Sequence, residues 1–331
     1  MRLITLIISS LTLISIGQNN VTVKGEFKNS SVSQFTFEPF YNENFKSIKV
    51  NINDGIFEFA FKIASIDFFK LSFSRDSYLA LIVEPDKDIE IFADLSNLLG
   101  TINIKGSDNT QMIYELEEII AINNNDSIIV NFIKKDSCNP AVVFFIEKLD
   151  FDAYYEVYEL VEKSLVKAYP DNKIIEQLGN KIRVLLNTKT GSKVENIKLP
   201  NQHGDTLSLY PLQGKLTLID FWASWCGPCR GELPYRKAAY KKFNAQGFEI
   251  FSISLDRNKQ NWVNTIQNSE LNWSFHVSDL KMWQSEVARN FGVGGIPANF
   301  LVDAEGKILT KNLRGKQLEE FLQSYFEKNS R

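Results

Sequence analysis

At 331 residues the chain is too long for one ordinary domain and suits two or three compact units. Hydrophobic residues at 44% and charged residues at 23% are globular values, which argue against wholesale disorder and against a membrane bundle. The 37 basic and 40 acidic residues leave a net charge of −3, so no general electrostatic drive towards nucleic acid is expected.

The chain opens on a short positive start, Met1-Arg2, followed by an apolar stretch over 3–16 with small hydroxyl residues mixed in. A helix needs roughly 20 residues to cross a bilayer core of about 30 Å, and this stretch is shorter. Ser15-Ile16-Gly17 offers the small-x-small pattern that signal peptidase reads. A signal peptide over 1–17, export and cleavage near Gly17 are therefore expected, with an uncleaved N-terminal anchor as the alternative. No cysteine follows the stretch to carry a lipid anchor, and no later segment is apolar for long enough to span a membrane. The mature protein is expected to be soluble outside the cytoplasm, in the periplasm or cell envelope.

From about 21 to 105 short alternating runs are divided by turn residues, as in 21–27, 55–61 and 88–93. Period-two patterning with β-branched and aromatic residues predicts an antiparallel sheet or sandwich. This first domain, 18–106, has no Cys or His and no catalytic grouping. The pattern changes after Gly106-Ser107-Asp108: Met112, Leu116, Ile119 and Ile120 fall at helical spacing, and Asp108 is the expected cap. Further helices are predicted at about 140–150, 153–168 and 172–187, the last two divided by Tyr169-Pro170-Asp171. Residues 107–190 are thus predicted to form a helical connector.

A polar stretch at 187–193 precedes a domain over 191–331 whose composition is α/β. A buried-type strand is predicted at 215–222, a helix from near Cys226, a second strand at 248–255, a hairpin of 300–303 with 307–309, and a closing amphipathic helix at 318–326. That order gives helices around a mixed sheet.

The chemistry concentrates in Trp225-Cys226-Gly227-Pro228-Cys229. At a strand-to-helix junction the first sulfur of a CxxC sits at the helix N-terminus, where free N–H groups and the dipole favour thiolate, and the second lies one turn in. Cys226 is the natural nucleophile and Cys229 the resolving thiol. Gly227 permits a tight approach, and Pro228 suits the first helical turn because its missing N–H would be unpaired there. Zinc is the structural alternative, but one CxxC supplies two of four ligands and no second ligand pair is visible, so neither metal nor cofactor is expected. Cys138 is expected to be an inert or partly buried thiol, His203 to be solvated in a turn, and His276 to be a strand residue. Asp220, six residues before Cys226, ends an apolar strand; burial should raise its pKa and make it an acceptor for the Cys229 proton, unless it is a hydrogen-bonded structural Asp. Glu232, three residues after Cys229, shares nearly the same helix face and either tunes the thiols or is solvated. The functional reading of Pro297 is a cis Ile296–Pro297 bond beside the thiols, exposing backbone to an extended substrate.

At these residues the chain resembles the thioredoxin superfamily over about 193–328. Trp225-Cys226-Gly227-Pro228-Cys229 looks like its active-site motif, Asp220 its buried acid, Pro234 its helix proline and Ile296-Pro297 its cis-proline. The longer run through Arg230-Gly231-Glu232-Leu233-Pro234 is more similar to the exported TlpA/ResA-like branch, as are a hairpin suggested at 197–208 and an inserted segment before Pro297. Ala298 departs from the Thr that commonly follows the proline, which bears on partner preference. The 21–106 region is similar to β-rich domains that precede thioredoxin modules in some Gram-negative envelope proteins. Peroxiredoxins resemble the chain less, since they carry Pro-x-x-x-Thr-x-x-Cys where Ala223 stands three before Cys226.

The resulting expectation is a multidomain protein with an N-terminal antiparallel β domain, a helical connector and a C-terminal thioredoxin fold. Its expected function is exported thiol-disulfide exchange, mainly reducing envelope protein disulfides, with electrons from a membrane donor. Cys226, Cys229, Asp220, Glu232 and Pro297 are the expected catalytic residues, and Trp225, Gly227, Pro228 and Ile296 those that a substrate meets. A partner-binding or assembly protein with an accessory redox module is the alternative.

Overall fold

The computed structural model describes residues 19–29, 31–42, 44–212 and 216–329, so the expected signal segment over 1–17 lies outside the described residues. The chain divides into two compact units, one ending at Gly179 and one starting at Asn180.

In the first unit, eight strands form two four-stranded sheets. Strands β1 (Asn19–Lys28), β2 (Gln34–Pro39), β3 (Ile48–Asn51) and β4 (Ile56–Ile63) are followed by β5 (Asp67–Ser72), β6 (Tyr78–Val83), β7 (Ile89–Asp94) and β8 (Asn103–Lys105). One sheet runs β4-β1-β7-β8 and the other β3-β2-β5-β6. All pairings are antiparallel except β1 with β7, which is parallel and sets Gly25 opposite Ile91. Alternation along a strand separates its two faces but carries no information on strand direction. Phenylalanines from both sheets fill the interior: Phe37 of β2 stacks on Phe69 at 4.7 Å and meets Phe59 and Phe61 of β4 at 4.8 and 4.7 Å.

Helix α1 (Asp108–Asn123) is capped by Ser107, not by Asp108 as expected, and Asp108 is its first residue. The Thr110 N–H donates to Ser107 Oγ, and Ser107 Oγ donates to the Ile82 carbonyl at 2.8 Å. Thr110 Oγ1 accepts from Ile82 N–H at 2.9 Å and Tyr114 Oη donates to Ala80 O at 2.9 Å. The helix start therefore closes the open edge of β6, satisfying backbone groups that an edge strand leaves unpaired. Ser107→Ala removes the cap and one edge contact, so a loss of about 1–2 kcal/mol is expected, read as a lower denaturation midpoint in circular dichroism. An unchanged midpoint would contradict this account.

A helix that was not predicted, α2 (Asp126–Lys135), follows with Asn125 as its cap. The single helix predicted at 140–150 is instead two short 3-10 turns, Pro140–Phe144 and Ile146–Lys148, started by the Asn139 side chain on Ala141 N–H. Cys138, just before them, is free and exposed, not partly buried. Helices α3 (Phe151–Ala168), non-helical at Tyr154, and α4 (Lys173–Asn187) complete the helical stretch.

In the second unit, β9 (Lys198–Pro200) and β10 (Thr206–Ser208) pair as the predicted hairpin. The main sheet comprises β11 (Leu216–Trp222), β12 (Phe248–Ser254), β13 (Phe275–Val277), β14 (Ala298–Val302) and β15 (Ile308–Lys311), in the order β13-β12-β11-β14-β15. Strands β11, β12 and β13 are parallel, whereas β14 is antiparallel to both β11 and β15. Helices α5 (Gly227–Phe243) and α6 (Lys259–Asn268) join the parallel strands, α7 (Glu286–Asn290) precedes β14, and α8 (Lys316–Asn329) closes the unit. Leu218 and Trp222 of β11 pack with Leu233 of α5, Trp262 of α6 and Leu322 of α8. Ile219 and Phe221 pack on the other face with Leu199, Ala288 and Phe291. Every residue of β11 is buried, as expected of a strand covered on both faces.

Candidate active site

The site lies at the end of β11. Because β14 is antiparallel to β11, its first residue, Ala298, pairs with Phe221, which brings Pro297 beside the turn that leaves β11. Residues 226 and 297, far apart in sequence, are thus neighbours by topology. The Ile296–Pro297 peptide bond is cis.

Cys226 is the N-cap of α5 and is joined to Cys229 as a disulfide. Its Sγ accepts from the Cys229 N–H at 3.1 Å and lies 3.7 Å from the Ile296 carbonyl oxygen. Cys226 retains 4% of its surface and Cys229 none, so a partner can reach only the first sulfur. Trp225, Gly227 and Pro228 are exposed around it, and Ile296 and Pro297 are half-buried. The turn before Cys226 is held by Asp256, a residue the sequence reading passed over: its carboxylate accepts from Ser224 N–H at 3.0 Å, Ser224 Oγ at 2.6 Å and Ser254 Oγ at 2.6 Å.

Asp220 faces the α5 side of the sheet and is 1% exposed. It is not alone there. The guanidinium of Arg236, itself 2% exposed, places Nη2 at 2.7 Å from Asp220 Oδ1. Neither of these atoms meets a partner at hydrogen-bonding angles, so the pair is held by charge and proximity. Burial pushes the Asp220 carboxyl up to about 6, opposed by Arg236 and Arg314 and assisted by Glu232. Arg236 stands at i+7 from Cys229 on the buried stripe Cys229, Leu233, Arg236, Phe243. A charged residue in an apolar stripe was the readable signal, and its partner was not readable.

Glu232 is half-buried and accepts from the Gly315 N–H at 2.8 Å. Next to it, Arg314 donates to the Pro297 carbonyl, and Asn299 fastens this segment by accepting from Leu313 N–H at 3.0 Å and donating to Leu313 O at 2.9 Å. Burial lowers the Arg314 pKa, while Glu232 and Asp220 raise it. Glu232 is therefore tied to the proline loop through residues 314–315. The two histidines are elsewhere in role: His203 is exposed in its turn, and His276 of β13 is buried against Trp273 with its pKa pushed down to about 4 by burial.

The AhpC/TSA family matches residues 190–311. The thiol-disulfide oxidoreductase ResA of Bacillus anthracis is 30% identical over 141 residues, covering 42% of this chain and 77% of ResA. ResA of Bacillus subtilis is 30% identical over 135 residues, covering 41% of this chain and 73% of that protein. Among solved structures, the thioredoxin domain of a thiol-disulfide oxidoreductase from Bacteroides vulgatus is similar at 34% identity and a TM-score of 0.40, with 42% of this chain and 98% of that one covered.

Proposed function

Because this chain belongs to the thiol-disulfide oxidoreductases of thioredoxin-like fold, we propose that it reduces protein disulfides with Cys226 as the attacking and Cys229 as the resolving sulfur. The observation that carries this assignment is the Cys229 N–H directed at Cys226 Sγ at 3.1 Å, at the start of α5. A donor and a helix N-terminus stabilise a thiolate at that sulfur.

In the reduced protein, the Cys226 thiolate attacks one sulfur of the substrate disulfide, forming a mixed disulfide and expelling the other substrate sulfur as thiolate. Cys229 gives its proton to Asp220 and attacks Cys226 Sγ. The Cys226–Cys229 bond forms, the mixed disulfide breaks, and the second substrate thiolate leaves. Two electrons pass from the dithiol to the substrate, and the two protons of the dithiol end on the two product thiols. Asp220, with a pKa near 6, is mostly ionised at neutral pH and so able to accept. The carbonyl of Ile296, beside Cys226 Sγ, offers main-chain contact to an extended substrate. Trp225, Gly227 and Pro228 border the approach. Glu232 acts by fixing the 314–315 segment on which the Pro297 carbonyl depends.

A peroxidase reading is less well supported despite the AhpC/TSA match, because Ala223 has no hydroxyl to offer a peroxide three residues before Cys226. Export by the 1–17 segment, work in the periplasm or envelope, and regeneration by a membrane dithiol donor complete the reading. Among the described residues no helix is long and apolar enough to cross a membrane. The β-rich 18–106 domain and the 107–190 helices are assigned to selecting or positioning the partner of the 191–331 domain. The test is catalytic reduction of a protein disulfide by the full chain with excess small dithiol. Cys226→Ser is expected to fall to the rate of the dithiol alone, and a variant as fast as the native chain would overturn the assignment.

A further inference from the structure

Two indoles stand in solvent beside the attacking cysteine. Trp225 is 48% exposed and Trp283 is 43% exposed, with ring centroids 6.2 Å apart in an edge-to-face arrangement. Trp225 is fixed by its indole N–H, which donates to the Leu255 carbonyl at 3.3 Å. Trp283 comes from the segment between β13 and α7, on a short 3-10 turn, Met282–Gln284.

That turn is built at an energetic disadvantage. Leu280 and Met282 hold φ of 56° and 51°, the left-handed region that disfavours bulky side chains by roughly 1–2 kcal/mol per residue. It is fastened by Leu280 N–H on Ser278 Oγ at 3.1 Å, Gln284 N–H on Lys281 O at 2.9 Å and Ser285 N–H on Met282 O at 3.1 Å. The turn packs Leu280 against the core and leaves Trp283 43% exposed. Its effect is to set a second large aromatic surface against the tryptophan that adjoins Cys226.

We propose that Trp283 and Trp225 form a two-indole docking surface for an aromatic or large aliphatic side chain that flanks the disulfide cysteine of a polypeptide substrate. The proposal rests on the disulfide-reductase reading above and adds a substrate class to it. Such a side chain covers the exposed faces of both rings, while the substrate backbone lies along Ile296, and edge and face contacts between aromatic rings add specificity to the burial. Trp283 is then a specificity determinant that takes no part in the bond exchange.

The test compares the full chain with Trp283→Ala and Trp283→Phe on three substrates: a disulfide-linked peptide with Phe beside each cysteine, the same peptide with Ser there, and oxidised glutathione. Trp283→Ala is expected to lower kcat/KM about tenfold on the Phe peptide, mainly through KM, and to leave the other two within about twofold. Trp283→Phe should restore most of the loss. Equal loss on all three substrates, or none on the Phe peptide, would overturn the proposal while leaving the reductase reading in place. A native chain that reduces none of the three overturns the reductase reading, and the docking surface with it.

Discussion

A Cys229→Ser variant of the full chain is expected to hold its partners as mixed disulfides through Cys226 and to release them at least about a thousandfold more slowly than the native protein. The attack of Cys229 is intramolecular: its sulfur lies within bonding distance of Cys226 Sγ, as their disulfide demonstrates. Well-oriented intramolecular groups act as if at roughly 10⁵ M or more, whereas an external thiol at millimolar concentration must do the same work by collision. A thousandfold is thus a lower bound. Cys226→Ser should trap nothing, because Cys229 has no exposed surface and its sulfur cannot be the one that a partner meets. Non-reducing electrophoresis with mass spectrometry of the adducts decides between the two sulfurs. Adducts through Cys229 in the Cys226→Ser protein would reverse the assigned roles.

The parts of this site that could be read from the sequence are local. Two cysteines three positions apart at the end of an apolar run specify a helix start and a nucleophile, because one turn of helix fixes where both sulfurs go. Asp220 was readable for the same reason, lying in a strand whose every residue is buried. What could not be read depends on pairing. The parallel contact of β1 with β7 and the antiparallel turn-back of β14 leave no trace in residue alternation, which reports faces and not neighbours. Arg314 and Asp256 reach the site across 17 and 32 residues of sequence, and no periodicity links them to it. Helix α2 was missed because the polar run Asn123-Asn124-Asn125 reads as loop, although Asn125 is in fact its cap. At 140–150 apolar spacing suggested one helix, whereas Pro140, lacking an N–H, and the Asn139 side chain favour a tight 3-10 turn.

The buried ion pair sets the second large effect. Removing the positive partner with Arg236→Met leaves Asp220 in a site with almost no solvent, and breaking a buried pair from one side costs about 3–5 kcal/mol. The loss must depend on pH, and its sign follows from the carboxyl. Asp220 has a folded-state pKa above its unfolded value, so the folded state favours the protonated form and the penalty for ionisation grows as pH rises through the folded pKa. Below that pKa the carboxyl is neutral and the missing arginine is less needed. With Arg236 gone, the folded pKa rises further, since an Arg beside an Asp lowers its pKa by roughly 1–3 units. The deficit of Arg236→Met should therefore be largest at pH 8 and shrink towards pH 5. All five tryptophans lie between 222 and 283, so their fluorescence follows this unit and not the β-rich one. The same variant should move the acid limb of Cys229-dependent resolution upwards by about 1–3 pH units, because the proton acceptor then ionises only at higher pH. A purely structural arginine would lower stability without moving that limb. Asp220→Leu combined with Arg236→Met should recover much of the stability, since two apolar side chains replace two buried charges. A deficit that is equal at pH 5 and pH 8, with an unmoved limb, would show that Arg236 does not govern the ionisation of Asp220.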